Sequence, residues 1–189
     1  MIRYRLCGVI SLILLSLSTF TTSAAAPAKK PGISTAPPTA TPTQRLGSAG
    51  FWTAYGYKEK RGKVCYLMSE PQKRVPPAGK RKPSLAMVTH RPGENVANVV
   101  SFIQGYPLRE GSDVALDIGG TKFELFTKGD SAWARTAELD KTIVEAMAKG
   151  TQVVVTGTPQ KGPPTVDTYS LGGFSQALSM IDKACDIKR

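Results

Sequence analysis

TVDTYSLGGFSQALSMIDKAC, residues 165–185, changes its period halfway along. Residues 165–171 are rich in β-branched and aromatic types and alternate as a strand does. Gly172 and Gly173 then free the backbone to turn sharply. Beyond them Phe174, Ala177, Leu178, Ile181 and Cys185 fall at i, i+3, i+4, i+7 and i+11, the stripe of one helix face. The chain therefore closes with a strand that turns into a helix, and the buried stripe of that helix ends in a cysteine. Such a helix needs a sheet to lie on, and the cysteine needs a partner.

Working back from this stretch, the period stays mostly at two. FWTAYGY (51–57), KVCYLMS (63–69), SLAMVTHR (84–91) and ANVVSFI (97–103) read as strands. DVALDI (113–118) and TKFELF (121–126) are joined by Gly119-Gly120, a two-residue hairpin turn. TQVVVTG (151–157) precedes the closing strand, with Gly162-Pro163-Pro164 breaking the chain between them. One further helix is predicted in LDKTIVEAMAKG, with Asp140 as its N-cap, Leu139 and Val144 as a hydrophobic staple, and Gly150 as its stop. About eight short strands and two helices, the last C-terminal, predict a mainly β (α+β) fold: an antiparallel β-sandwich or partly open barrel.

The N-terminus reads as a secretory signal peptide over residues 1–26. Arg3 and Arg5 precede an apolar run, and Ser23 to Ala26 are small residues suited to cleavage. The run is short of the roughly 20 apolar residues that span a bilayer, so no transmembrane segment is expected after cleavage. Residues 27–48, rich in Pro, Thr and Ala, read as a tether. Residues 49–189 have the length of one domain. Export places the chain in the periplasm, the cell envelope or the medium. Of three cysteines, Cys7 leaves with the signal, so Cys65 and Cys185 remain. In an oxidising compartment one disulfide is the simplest reading, with pairing between chains or free thiols as alternatives. Two cysteines and the single His90 make a poor zinc set, and no cofactor motif is present.

The formal charge is +11, and it is clustered. Ten Lys and Arg residues lie between Lys58 and Arg91, opposed by Glu59 and Glu70 alone. The loop EPQKRVPPAGKRKP (70–83) is the densest part, and its prolines are expected to keep it out of the sheet. Lys73, Arg74, Lys80, Arg81, Lys82 and Arg91 are therefore candidates for contact with an anionic partner in the envelope or on a host surface. No nucleic-acid module is recognisable. Trp52 and Trp133 are candidate ligand contacts, against the commoner role of tryptophan in a core. His90 is a candidate ligand contact or general base, against an ordinary strand-end histidine. No nucleophile elbow or phosphate loop accompanies it.

FWTAYGY, KVCYLMSEP, VTHRPGENVANVVSFIQGYP, FELFTKGDSAWA and the closing run together carry a resemblance. Over residues 51–185 the chain resembles the invasion-associated locus B family of exported Gram-negative proteins. The resemblance implies a β-rich envelope or periplasmic domain, with founding members associated with entry into host cells. It carries over no catalytic residue. The function expected is a non-enzymatic binding or accessory role. The alternatives are an enzyme on envelope glycan or lipid using His90 with an acid, and a chaperone-like structural factor.

Overall fold

A computed structural model describes residues 42–77 and 81–189. The strands are β1 (Gln44–Ala49), β2 (Trp52–Glu59), β3 (Gly62–Ser69), β4 (Lys73–Val75), β5 (Leu85–Arg91), β6 (Val96–Ile103), β7 (Asp113–Ile118), β8 (Thr121–Lys128), β9 (Ser131–Trp133), β10 (Gln152–Gly157) and β11 (Thr165–Ser170). The helices are α1 (Ala137–Lys149) and α2 (Phe174–Ala184). All strands join one antiparallel sheet in the order β1-β2-β3-β5-β6-β9-β8-β7-β10-β11-β4, which does not close into a barrel. The expected mainly β class, with a C-terminal helix, is the class observed.

Eight of the strands are those the sequence period announces, and three are additional. β9 is three residues long, too short to show a period. β1 lies inside the stretch read as tether, because QRLGSA has no apolar alternation and is held by its register on β2. Residues 27–41 of that stretch and the predicted signal peptide lie outside the described residues. β4 lies inside the basic loop, and here the expectation is corrected. Lys73-Arg74-Val75 lie between Pro71 and Pro76 and pair with β11 before Pro76 ends the strand. The chain thus leaves β3, crosses Glu70–Gln72 and joins the far end of the strand order, where the Gln72 N–H reaches Thr168 O at 2.9 Å. That crossing curls the sheet around its core.

Inward positions alternate with outward ones along each strand, and the inward set forms one core with both helices. On β2 and β3 these are Trp52, Ala54, Cys65 and Leu67, and on β5 they are Ala86, Val88 and His90. α2 lies on β1, β2 and β3 and buries Phe174, Ala177, Leu178, Ile181 and Cys185, the whole predicted stripe. Gly173 starts it at φ +90, and a Cβ there would stand 2.1 Å from Ala49 O, so only glycine fits. Cys65 and Cys185 are bonded within the chain, across a separation of 120 residues. This tie fastens the C-terminal end of α2 to β3, the third strand from one edge of the sheet.

α1 starts one turn earlier than expected. Its N-cap is Thr136, whose hydroxyl accepts from Leu139 N–H at 3.1 Å. Asp140 is instead buried in the helix, and its Oδ1 accepts from Val100 N–H at 2.8 Å. β9 covers β6 only over Ser101–Ile103, and Asp140 takes the next backbone N–H along. The N-cap reading is corrected because tertiary contact claimed the carboxylate. No helix among the described residues is long and apolar enough to cross a membrane.

Candidate partner-binding surfaces

His90 is inward-facing on β5, directly opposite Cys65 in the register, and fully buried. Its Nδ1 accepts from Asn98 N–H at 3.0 Å, so Nε2 carries the proton and donates to Asp182 Oδ1 at 2.9 Å. Asp182 in turn pairs with Arg189. Burial is the largest influence on His90 and lowers its pKa, with the Asp182 carboxylate pulling the other way. A histidine and an acid do meet, as an enzyme on glycan or lipid would require. Both ring nitrogens are committed, however, and no surface reaches them. The general-base and ligand-contact readings of His90 are corrected: it is a second clasp on α2, beside the disulfide. Among the described residues no His, Cys, Asp and Glu cluster has the geometry to hold a metal.

The basic window does not fold into one patch. β3 separates its two halves. Lys58, Lys60 and Arg61 stand at the β2–β3 hairpin end, while Lys73, Arg74 and Lys82 stand beyond the other end of the strand. Eight residues of β3 set them about 25 Å apart. That exceeds the Debye length of about 8 Å at physiological salt, so they act as separate fields. Among the described residues Lys58, Lys60, Lys73, Arg74 and Lys82 have no carboxylate within ion-pair distance, while Arg61 lies 3.7 Å from Glu94. Arg91 pairs with Glu59 at 2.8 Å. Lys80 falls outside the described residues.

Arg81 is corrected. Its guanidinium grips both oxygens of fully buried Asp167 and donates to Gln104 O at 2.8 Å and Ser84 Oγ at 2.9 Å. It also lies over the Tyr106 ring, 4.7 Å from the centroid. This arginine anchors the end of the loop to β11 and is not free for a partner.

The two tryptophans separate. Trp52 is fully buried, edge-on to Phe174 at 5.0 Å, with Nε1–H donating to Ser170 O at 3.0 Å. Its reading as a ligand platform is corrected. Trp133 faces the other side of the sheet and lines an open groove of about 560 Å³. The floor of that groove is a cross-strand row, Met68, Met87, Ser101 and Trp133, in consecutive register from β3 to β9. Leu85 and Ile103 flank the row on one side and Tyr66 and Thr89 on the other. Arg91 closes one end and is the only charged residue of the lining among the described residues.

Sequence reasoning missed this face apart from Trp133 and Arg91. The signal was present: VCYLM and LAMV are apolar at both alternating positions, the composition of a strand covered on two sides. Reading them as ordinary alternation hid the second face.

A family profile described as Invasion associated locus B (IalB) protein matches residues 52–182. Among solved structures, the crystal structure of invasion associated protein B from Bartonella henselae is similar. The identity is 18%, over 77% of this chain and 99% of that one, with a TM-score of 0.54. At that identity the likeness speaks for the fold. No curated protein matches the chain.

Proposed function

The chain belongs to the invasion associated locus B family, and from that premise we propose an exported, envelope-associated accessory protein that holds an anionic partner without catalysing a reaction on it. The observation that carries this reading is the set of exposed cations at both ends of β3 that no carboxylate of the described residues pairs: Lys58 and Lys60 at one, Lys73 and Lys82 at the other. The cystine supports location outside the reducing cytoplasm. The commitment of His90 to Asp182 and Asn98 supports a binding role over an enzymatic one. Partners that fit are surfaces dense in phosphate or carboxylate, in the envelope or on a host cell.

The test is co-sedimentation with phosphatidylglycerol vesicles against phosphatidylcholine vesicles. Association should require the anionic lipid and collapse near 1 M salt, where the Debye length falls to about 3 Å. Lys58→Gln with Lys60→Gln, and separately Lys73→Gln with Arg74→Gln and Lys82→Gln, should each weaken it by about 1 kcal/mol per residue at most. Association that ignores both salt and all five substitutions would overturn the proposal.

A further inference from the structure

The open face of the sheet offers a binding site of a different kind, beyond the charge-driven association proposed above. Met68, Met87, Leu85, Ile103, Tyr66 and Trp133 present a half-exposed apolar floor, with Arg91 at one end. From Leu85 to Arg91 the groove follows β5 through three outward steps, about 20 Å. One lipid chain spans about half of the roughly 30 Å bilayer core, so a single chain fits this length with its head beside Arg91. The volume lies within the range of roughly 300–1,000 Å³ usual for small-molecule sites.

The chemistry of the face favours such an occupant over a peptide. The backbone hydrogen bonds of these strands are made within the sheet, so the face has few partners for a peptide's N–H and C=O groups. A peptide would add at an edge, and both edges are blunted. β1 carries a register break between Arg45 and Gly47, and β4 has three residues, two of them cationic, followed by Pro76. Met68 and Met87 are unbranched and adapt to a flexible chain. Arg91 holds Glu59 only through an exposed pair, which is weak and readily exchanged for an anionic head. The geometry points to this groove as the seat of one fatty acyl chain of an anionic lipid, with the head against Arg91.

Calorimetric titration with lysophosphatidylglycerol and lysophosphatidylcholine, both below micelle formation, tests this. Saturable one-to-one binding of the anionic lipid is expected. Met87→Glu should weaken it by roughly tenfold or more, because a carboxylate would be desolvated against the chain. Thr89→Trp, which fills the groove without adding charge, should do the same, so a folding defect in one variant leaves the other to decide. Arg91→Gln should weaken the anionic lipid by about fivefold and leave the zwitterionic one unchanged. Absence of saturable binding, or binding indifferent to both groove variants, would overturn the assignment. So would a dimer in sedimentation that Met87→Glu dissolves, since the face would then belong to a second copy. The five surface substitutions above should spare lysolipid binding, and Met87→Glu should spare salt-sensitive vesicle association, so either reading can fail alone.

Discussion

Asp140 is a carboxylate placed where a helix meets the middle of a sheet. Burial is the dominant influence and pushes its pKa up to about 6, while the Val100 N–H it accepts works in the opposite direction. Because the folded value lies above the unfolded one, its contribution to stability is complete below about pH 4 and is lost as pH rises through about 6. Asp140→Asn keeps an acceptor for Val100 and removes the buried charge. It should raise the unfolding free energy at pH 7 by about 1–3 kcal/mol and change it little at pH 4, measured by urea denaturation. An equal gain at both pH values would refute the argument. His90 acts with the reverse sign. Its folded pKa is lowered, so its contribution is present above the unfolded value of about 6.5 and is lost as pH falls toward the folded value. In the Asp140→Asn protein this should remain as a loss of stability on mild acidification.

At the scale of elements, α2 is the part most exposed to fraying and the part most heavily secured. The disulfide holds its C-terminal cap, the His90–Asp182 bond holds its last turn, and Lys63 Nζ donates to Ala184 O at 2.7 Å. Closing a loop of 120 residues contributes up to about 5 kcal/mol in the chain-entropy model. Replacing both cysteines by serine should therefore lower stability by several kcal/mol while the fold persists, because the other two ties remain. Native-state hydrogen exchange should show the loss concentrated in the last turn of α2. Exchange that rises equally in β7 and β10, far along the strand order, would mean that the cystine supports the whole domain and not this helix.

For the whole molecule, the decisive feature is how the charge is apportioned. Ten cations lie close in sequence, yet the nine among the described residues divide between two ends of β3, an exposed ion pair and a buried one. Arg81 therefore differs in kind from its neighbours. Removing one partner of a buried pair leaves the other uncompensated, at about 3–5 kcal/mol. Arg81→Ala should lower the melting temperature strongly, while Lys73→Gln with Lys82→Gln should leave it nearly unchanged, as followed by circular dichroism. A mild Arg81→Ala would show that Asp167 finds another partner. The sheet also has two faces of unlike use. One is filled by both helices, and the other carries the groove, so the curl imposed by the β3–β4 crossing sets both the core and the open surface.

Much of this was legible before any coordinates. Eight of the eleven strands, the Gly119-Gly120 hairpin, the complete stripe of α2 and a disulfide as the simplest fate of Cys65 and Cys185 follow from local period and cysteine arithmetic, because each is a property of a few consecutive residues or of residue counts, whereas the pairing within one chain was decided by the fold. What a side chain does once strands distant in sequence become neighbours was not legible. Asp140 reads as a cap until Val100 arrives, Arg81 as a surface cation until Asp167 does, and His90 as a free base until α2 folds over it. The basic window reads as a single patch until β3 carries its halves apart. Periodicity and composition are local and survive in the sequence, while burial and pairing belong to the packed sheet, and it was these that separated structural residues from those left free to bind.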